Sequence, residues 1–358
     1  MTDTFQAQCH AALIGSIPLK DHEQATELVL TFTPNIPLWA QLPSYPQEAM
    51  VPQFLPGMPG HAVRDDTEYV DTSLESFEQD LLTFYEEYMG VTEGGLDQES
   101  TRFTLDPERA RGFHVLTQRL EQGDLLPVAL KGQITGPITF ATGVKDQDKK
   151  AIFYNDQLRD AAVKLLALKA GWQVDHLARF KVPVIVFFDE PALAGFGSSE
   201  FISISKQDVM DCFSEVIGQV HARGGLAGVH VCANADWSII LESQADILSF
   251  DAYAYFDKLL LFKEGLQSFL DRGGIIAWGI VPTLEPGDIE KETADSLYDK
   301  LEQQLSRLED LGFDRSQVLN QTLITPSCGT GSLSIELAEK VLQLTRDVSD
   351  RVRSTLAP

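Results

Sequence analysis

The sequence predicts an α/β fold, specifically a (β/α)₈ TIM barrel, and three observations lead to this prediction. Short apolar, β-branched segments alternate with longer amphipathic stretches along the chain. Eight such segments can be counted, which is the number of strands in this barrel. The length of 358 residues fits one barrel with insertions, because the fold spans roughly 200 to more than 400 residues. We therefore expect a single TIM-barrel catalytic domain over residues 1–358.

The predicted elements follow one another in the order that this fold requires. The strands are expected at Ala11–Ser16, Ile36–Leu42, Pro127–Ile134, Val182–Asp189, Leu226–Cys232, Asp246–Asp251, Gly274–Val281 and Val318–Thr325. Amphipathic helices are expected between them, for example at Asp156–Phe180 and at Ser205–Gly225, which ends in paired glycines suited to a helix C-terminus. A last helix at about Ser334–Val352 would complete the ring.

An acidic segment in the N-terminal third, about residues 64–100, interrupts this alternation. It contains twelve acidic residues, and Arg64 is its only basic one. We interpret it as an insertion that contains a helix within "SLESFEQDLLTFYEEYMG". Such a charged segment is typical of a solvated face, and a lid over the active site is the alternative.

The overall charge excludes two classes of partner. The chain has 53 acidic and 28 basic side chains, a net charge of −25. This charge repels nucleic-acid phosphates and anionic membrane surfaces, so we expect no nucleic-acid partner and no membrane partner. A solubilising surface accounts for the charge; a salt-rich habitat and a basic protein partner are the alternatives.

The cysteine content and the hydrophobic segments favour a cytoplasmic location. Four cysteines are too few for a disulfide framework and suit a reducing compartment. The first fifteen residues do not show a signal-peptide pattern, and the longest apolar runs are about seven residues, well below the roughly 18 needed to span a bilayer. Any chemistry of the cysteines would therefore involve thiolates.

Three residues at predicted strand ends form a candidate metal site. His230 and Cys232 are two residues apart on a strand, so their side chains project to the same face. Taken alone, this pair is weak evidence for a metal site, because buried cysteines and hydrogen-bonded histidines are common core residues. Cys328 in "PSCG" also follows a predicted strand, and active sites of these barrels lie at the carboxyl ends of the strands. Two cysteines and one histidine with an open position are typical of a catalytic zinc site.

Asp251 closes the sixth predicted strand, within "LSFDAY". It could be a fourth zinc ligand with a catalytic role or a hydrogen-bond partner of a ligand, or it could cap the following turn. Cys9 and Cys212 are interpreted as structural, because Cys212 lies in a predicted amphipathic helix without a neighbour that could bind metal.

The acidic pair Asp189 and Glu190, in "DEPAL", is expected to bind a cation. Adjacent carboxylates at a barrel mouth are unfavourable unless they meet positive charge. An amine on the substrate would supply it, and a salt bridge to a lysine or arginine is the alternative. Gly15 and Ser16 precede Pro18 in a turn whose backbone N–H groups could hold a carboxylate.

The strand-end motifs "IGSIP", "DEPAL", "HVCANADW" and "PSCG" occur in this order over most of the chain. They resemble the catalytic barrel of cobalamin-independent methionine synthase, within the superfamily that it shares with uroporphyrinogen decarboxylase. The resemblance implies that zinc is bound by His230, Cys232, Asp251 and Cys328.

The same resemblance implies an amino-acid substrate, homocysteine. The family's "IGS" motif holds the homocysteine carboxylate, and the aspartate of its "DEPA" motif holds the amine. The matching residues here are Ile14, Gly15, Ser16 and Asp189.

Several departures from the family pattern bear on the methyl donor and the site. The family's third zinc ligand is usually Glu, so Asp251 has a shorter reach, and Gln53 in "MVPQF" stands where the family has Glu. The long enzymes have two barrels, of which the first helps to bind folate, whereas this chain has room for one. They also carry a histidine after strand seven, where this sequence reads "GIVPTLEP". Transfer from a folate leaves an amine nitrogen that must gain a proton, and transfer from methylcobalamin does not.

The sequence thus predicts a zinc-dependent methyltransferase that acts on a thiol, L-homocysteine, with a methylated corrinoid or corrinoid protein favoured over methyl-folate as donor. Three alternatives stay open. One is a methylcobalamin:coenzyme M-type thiol methyltransferase. Another is a decarboxylase similar to uroporphyrinogen decarboxylase, which needs basic residues of which Lys131 is the clearest. The third is a non-catalytic subunit that binds zinc and a thiol.

Overall fold

The computed structural model describes residues 5–197, 201 and 203–356. The strands are β1 His61–Arg64, β2 Thr67–Val70, β3 Leu130–Thr135, β4 Val184–Asp189, β5 Leu226–Val231, β6 Ile247–Phe250, β7 Ile275–Val281 and β8 Thr322–Pro326. The α-helices are α1 His22–Phe32, α2 Phe77–Thr92, α3 Arg111–Glu121, α4 Pro137–Gly143, α5 Asp156–Ala178, α6 Lys206–Ala222, α7 Ser238–Glu242, α8 Ala252–Leu259, α9 Lys263–Asp271, α10 Pro286–Lys291, α11 Ala294–Asp310, α12 Arg315–Asn320 and α13 Ile335–Arg353.

The central element is a parallel sheet of six strands in the order β3-β4-β5-β6-β7-β8. Helices connect the successive strands, as parallel pairing requires. The sheet curls into a partial barrel, so the predicted α/β fold is confirmed. Six of the eight predicted strands are present, each within a few residues of its expected position.

The first two predicted strands are not strands in this structure, so the sheet is not a closed eight-stranded barrel. The two segments contribute single parallel bridges instead: Ala11 with Ile324 of β8, Ser16 with Gln41, and Leu38 with Lys131 of β3. They therefore lie between the two edges of the six-stranded sheet. Pro37 limits further pairing of the second segment, because it has no N–H to donate, and Pro43 directly follows the segment.

The predicted helices are confirmed at α5, α6 and α13. Helix α6 begins with a capping box, in which the Ser205 side chain accepts from the Asp208 backbone and the Asp208 side chain accepts from the Ser205 backbone. Gly224, just after this helix, has a φ of 75°, a conformation that favours glycine. None of the helices in the described ranges has both the length and the apolar character needed to cross a membrane.

The acidic segment contains the predicted helix, α2, whose buried face consists of Phe77, Leu81 and Phe84. The hairpin of β1 and β2 was not predicted. Its turn residues Asp65 and Asp66 have φ values of 49° and 57°, which aspartate tolerates better than most residues, and which match the twist of a tight hairpin. The acidic side chains are only partly solvated, because several of them form ion pairs with arginines.

Alternation along the strands decides which side chains reach the interior of the curled sheet. Ile185 and Phe187 of β4 pack into an interior apolar cluster, whereas Val186 and Phe188 face the surrounding helices. Gly228 of β5 makes room for Phe187, because a Cβ at this glycine would overlap the aromatic ring. The same alternation continues at the strand ends and determines which polar residues face the interior.

Candidate metal centre

Three predicted ligands meet at the carboxyl ends of β5 and β8. His230 is on β5, Cys232 follows directly after it, and Cys328 is in the loop after β8. Their ligand atoms all lie within 4.8 Å of one another. His230 is buried and both cysteines are half-buried. Among the described residues, no other group of three or more His, Cys, Asp or Glu side chains is close enough together to hold one ion.

The imidazole of His230 is oriented by a neighbouring strand. Its Nδ1 lies 2.9 Å from the Ser249 hydroxyl, and His230 and Ser249 are register partners in β5 and β6. Its Nε2 is buried and has no hydrogen-bond partner. A hydrogen on Nδ1 bonded to Ser249 leaves a free lone pair on Nε2, as a metal ligand requires. Ser249 was missed in the sequence, although it is two residues before Asp251 and therefore on the same face.

The two thiols interact with each other. A hydrogen bond from Cys328, together with the nearby His230 imidazole, lowers the pKa of Cys232 to about 4. The same hydrogen bond, together with burial, raises the pKa of Cys328. The lowered pKa favours a thiolate at Cys232 near neutral pH, while the Cys328 thiol keeps its proton. Two sulfur donors and an unpartnered imidazole nitrogen fit a zinc ion, which prefers this donor set in tetrahedral geometry.

Asp251 lies at the end of β6 and outside this three-residue group. Its Oδ1 accepts from the backbone N–H of Ala254 at 2.9 Å, so it caps the N-terminus of α8. Burial raises the pKa of its carboxyl to about 6. The structure therefore gives Asp251 the capping role that was one of its predicted alternatives, and does not bring it among the ligands.

Asp189, the last residue of β4, and Glu190, which follows it, face opposite sides of the sheet, which corrects the expectation that both meet one cation. Glu190 faces outward, where its carboxylate accepts from the N–H of Ile138 at 2.9 Å and of Thr139 at 2.8 Å, and from the Thr139 hydroxyl at 2.7 Å. Glu190 is fully buried, and burial raises its pKa to about 7. Glu190 thus binds the N-terminus of α4. In the described part of the chain, it pairs with neither an arginine nor a lysine and does not face the open end of the sheet. Strand alternation could have predicted this separation.

Asp189 faces the interior, and its Oδ1 is buried without a hydrogen-bond partner. Burial raises the pKa of Asp189 to about 6, against the influence of His230 and Lys131. Lys131 is itself fully buried, and burial lowers its pKa to about 7. Its Nζ donates to the Ile14 carbonyl at 2.6 Å and lies 4.3 Å from the centre of the Phe187 ring. The basic group that a decarboxylase would use is thus engaged within the fold.

Ile14, Gly15 and Ser16 are brought beside Cys328, with which they line a small cavity of about 10 Å³. The Gly15 carbonyl accepts from Gln41 N at 3.1 Å. In a trans peptide the C=O and the following N–H point in opposite directions, so the Ser16 N–H points away from Gln41 and toward the loop after β8. The N–H of Gly331 in that loop donates to the Ser16 hydroxyl at 3.2 Å.

Gln53 lies in a short 3₁₀-helix, Pro52–Phe54, and is 2% exposed. Both ends of its amide are engaged: Oε1 accepts from Gln41 Nε2 at 2.5 Å, and Nε2 donates to the Arg109 carbonyl at 2.6 Å. The structure therefore places Gln53 behind Gln41 rather than in direct reach of a ligand. Gln41 could not be identified from the sequence, because its position depends on backbone hydrogen bonds with Gly15 and Ile17.

No family model and no curated protein matches this chain. Solved structures with a similar fold include a B12-independent methionine synthase from Shewanella sp. W3-18-1 in complex with selenomethionine, at 18% identity and a TM-score of 0.47, covering 69% of this chain and 67% of that one. A methyltransferase from Methanosarcina mazei shows 16% identity and a TM-score of 0.42, covering 70% and 68%.

A third similar structure contains GH20 catalytic modules of the pneumococcal exo-β-D-N-acetylglucosaminidase. It shows 10% identity and a TM-score of 0.46, covering 96% of this chain and 85% of that one. These three likenesses are remote and include an unrelated chemistry. They do not transfer an activity to this chain.

Proposed function

We propose that this chain is a zinc-dependent methyltransferase that transfers a methyl group to a thiol, with L-homocysteine as the acceptor. The observation that carries the proposal is the convergence of His230 Nε2, which lacks a partner, with the two thiols of Cys232 and Cys328. Buried polar atoms are nearly always satisfied in folded proteins, so an orphaned nitrogen facing two sulfur atoms supports a ligand at this point.

His230, Cys232 and Cys328 would hold the zinc ion, and Ser249 would keep the imidazole in the required orientation. A bound zinc ion lowers the pKa of a thiol from its usual value of about 8.5, so that the nucleophilic thiolate is present at neutral pH. The three protein ligands leave a fourth position for the acceptor, as in catalytic rather than structural sites.

Two further groups would orient the acceptor. Oδ1 of Asp189 is buried without a partner, and this carboxylate would pair with the ammonium group of homocysteine. The Ser16 N–H would bind the carboxylate on the side of Cys328. Fixing both charged groups would present the sulfur in one orientation, and positioning of this kind lowers a reaction barrier by several kcal/mol.

The methyl donor that we propose is a methylated corrinoid or corrinoid protein, with methyl-folate as the second candidate. The stretch "GIVPTLEP", which covers the end of β7 and the residues after it, contains no histidine to protonate the amine nitrogen of a departing folate. Departure of a corrinoid requires no such proton. In this proposal, residues 1–358 form one catalytic domain.

Calorimetry of zinc-loaded protein with L-homocysteine, in two buffers of different ionisation enthalpy, tests the proposal. Saturable binding with release of about one proton near neutral pH is expected, because the acceptor would bind as a thiolate. Cys328→Ser serves as the control and should release no proton. Absence of homocysteine binding to the zinc-loaded wild type would rule out this acceptor.

A further inference from the structure

Three hydrogen bonds join the end of β7 and the loop after it to the residue that precedes Cys328. The Ser327 N–H donates to the Val281 carbonyl at 2.8 Å. The Ser327 Oγ accepts from the backbone N–H of Thr283 at 3.1 Å and lies 2.9 Å from the Thr283 hydroxyl. Both side chains are buried. Satisfied buried polar groups of this kind hold the backbone in one arrangement.

The alternation of β8 alone would turn Cys328 away from the other two proposed ligands. Leu323 belongs to the interior apolar cluster and Ile324 to the cluster that faces the helices, so a regular strand places odd-numbered residues inward. Continued into the loop, this pattern puts Cys328 on the outer side. The chain departs from the pattern here, because the Ser327 hydroxyl bonds to the loop after β7 and the Cys328 thiol lies beside His230.

A β-bulge marks the point where the pattern changes. The register between β7 and β8 shifts between Gly279 and Val281, and bulges re-aim side chains near active sites. Gly279 permits the close approach of the two chains, since a Cβ there would overlap the Phe250 carbonyl and crowd the Ser327 backbone. The bulge therefore brings the loop after β7 within hydrogen-bond reach of Ser327.

A second set of bonds holds the loop on the other side of Cys328. The backbone N–H and the hydroxyl of Thr330 both donate to the Ser16 carbonyl, at 2.9 Å and 3.0 Å. Cys328 and Gly329 lie between the two anchors. The Ser16 anchor is also part of the proposed acceptor site. The Thr283 hydroxyl has no such second role, because Ser327 is its hydrogen-bond partner within the described residues.

We propose that Thr283 is a positioning residue for the metal site, because its bonds to Ser327 turn the Cys328 thiol toward His230. The inference rests on the proposed function and gives the loop after β7 a role in it. His230 lies on β5 and Cys232 follows it directly, so neither depends on this loop. Loss of the Thr283 hydroxyl should therefore affect one of the three proposed ligands.

Thr283→Val tests the inference, because it keeps the shape of the side chain and removes the hydroxyl. Zinc affinity, measured by competition with a chromogenic chelator, should fall about tenfold, as expected when the support of a ligand is lost. In protein loaded with Co²⁺ instead, the thiolate-to-cobalt charge-transfer absorbance should decrease, since Cys328 would bind in a smaller fraction of the molecules. Thr283→Ser restores the hydroxyl and should restore both measurements.

Two further variants separate positioning from general stability. Ser327→Ala removes the acceptor of both bonds from Thr283, so zinc affinity should fall at least as far, even if Thr283→Val does not fold. Thr322→Val is the matched control. The Thr322 hydroxyl is also buried and donates to the Val318 carbonyl at 2.7 Å, but it lies at the amino end of β8. This variant should unfold at a lower urea concentration and keep the zinc affinity of the wild type.

Three outcomes would overturn the inference. If Thr283→Val and Ser327→Ala keep the zinc affinity and the cobalt spectrum of the wild type, Cys328 is positioned without Thr283. If Thr322→Val loses as much zinc affinity as they do, the cause is general loosening. If the wild type itself does not retain zinc, the proposed function fails together with the inference. A wild type that binds zinc but not homocysteine removes only the acceptor, and a weakened Thr283→Val would still support the role of Thr283.

Discussion

The two ends of the curled sheet differ in how their buried polar groups are satisfied. At the carboxyl ends of the strands, Asp189 Oδ1 and His230 Nε2 are buried without hydrogen-bond partners. At the amino ends, Asp246 Oδ2 accepts from Ala227 N and from His221 Nε2, both at 2.7 Å. Since unsatisfied buried groups are costly, their presence at one end supports the proposed ligand site there. The opposite end contributes stability, as is general in barrels of this kind.

The cysteines show the same difference. At the amino end, the Cys9 thiol donates to the Leu319 carbonyl at 3.2 Å, and burial raises its pKa to about 12. Such a thiol stays protonated and is a poor ligand. At the carboxyl end, Cys232 and Cys328 are half-buried, and a hydrogen bond from Cys328 lowers the pKa of Cys232. Location within the fold, rather than residue type, therefore separates a structural cysteine from a proposed metal ligand.

The largest effect that we expect comes from removing a metal ligand. Cys328→Ser should weaken zinc binding by about a hundredfold or more, since even residues that only support ligands contribute 10- to 100-fold. Cys9→Ser, at the opposite end, should retain stoichiometric zinc and lose about 1 kcal/mol of stability. Metal content after dialysis against a chelator of known affinity measures the first, and urea unfolding measures the second. Full zinc occupancy of Cys328→Ser would remove Cys328 from the site.

The neighbours Asp189 and Glu190 allow a sharper comparison within two residues. Asp189→Asn should weaken homocysteine binding by about 3 kcal/mol, roughly a hundredfold, because a buried ammonium would lose its charged partner. Zinc content should not change. Glu190→Gln should instead lower the free energy of unfolding by about 2 kcal/mol, since it weakens the bonds to the N-terminus of α4. Calorimetry and urea unfolding on both variants check this, and equal effects of the two on binding would contradict it.

A smaller effect is expected from the residue that orients the histidine ligand. Ser249→Ala removes the hydroxyl that lies 2.9 Å from His230 Nδ1. Without it the imidazole loses its fixed tautomer and orientation, and zinc affinity should fall about tenfold. Competition with a chromogenic chelator gives the affinity. Thr325→Ala, on β8, is a control of similar size and should not change zinc affinity; a decrease in both variants would point to general loosening of the interior.

Alternation and strand order explain why much of the site could be predicted. His230 and Cys232 share a face because they are two residues apart, and Cys328 joins them because parallel strands end at one rim. The same rule, applied to Asp189 and Glu190, would have separated the two carboxylates. What it cannot give is the path of loops, so the position of Gln41 beside Gly15 could not be predicted.

The first two strand segments show where apolar pattern and pairing differ. Ala11–Ser16 and Ile36–Leu42 are buried, as their composition predicts, yet each forms single bridges rather than a ladder. Burial depends on the polarity of the side chains, which can be read directly from the sequence. Pairing depends on backbone N–H groups and local twist, which Pro37 and the turn at Gly15 alter. The same holds at the carboxyl ends of the strands. There the Ile14 carbonyl accepts a hydrogen bond from the Lys131 side chain.

The smallest effect that we expect is on stability, and it comes from the pair of His221 and Asp246 at the amino ends of the strands. The hydrogen bond to Asp246 raises the pKa of His221 above its usual 6.5. A raised pKa in the folded state means that the pair stabilises the protein fully below the unfolded pKa and loses this contribution as the pH rises through the folded pKa. Because His221 is about one-third exposed, the contribution should be below about 1 kcal/mol. His221→Gln keeps a donor but cannot titrate, so the difference in unfolding free energy between wild type and variant should shrink between pH 5.5 and pH 8.5. A constant difference would show that Asp246 is satisfied by the Ala227 N–H alone.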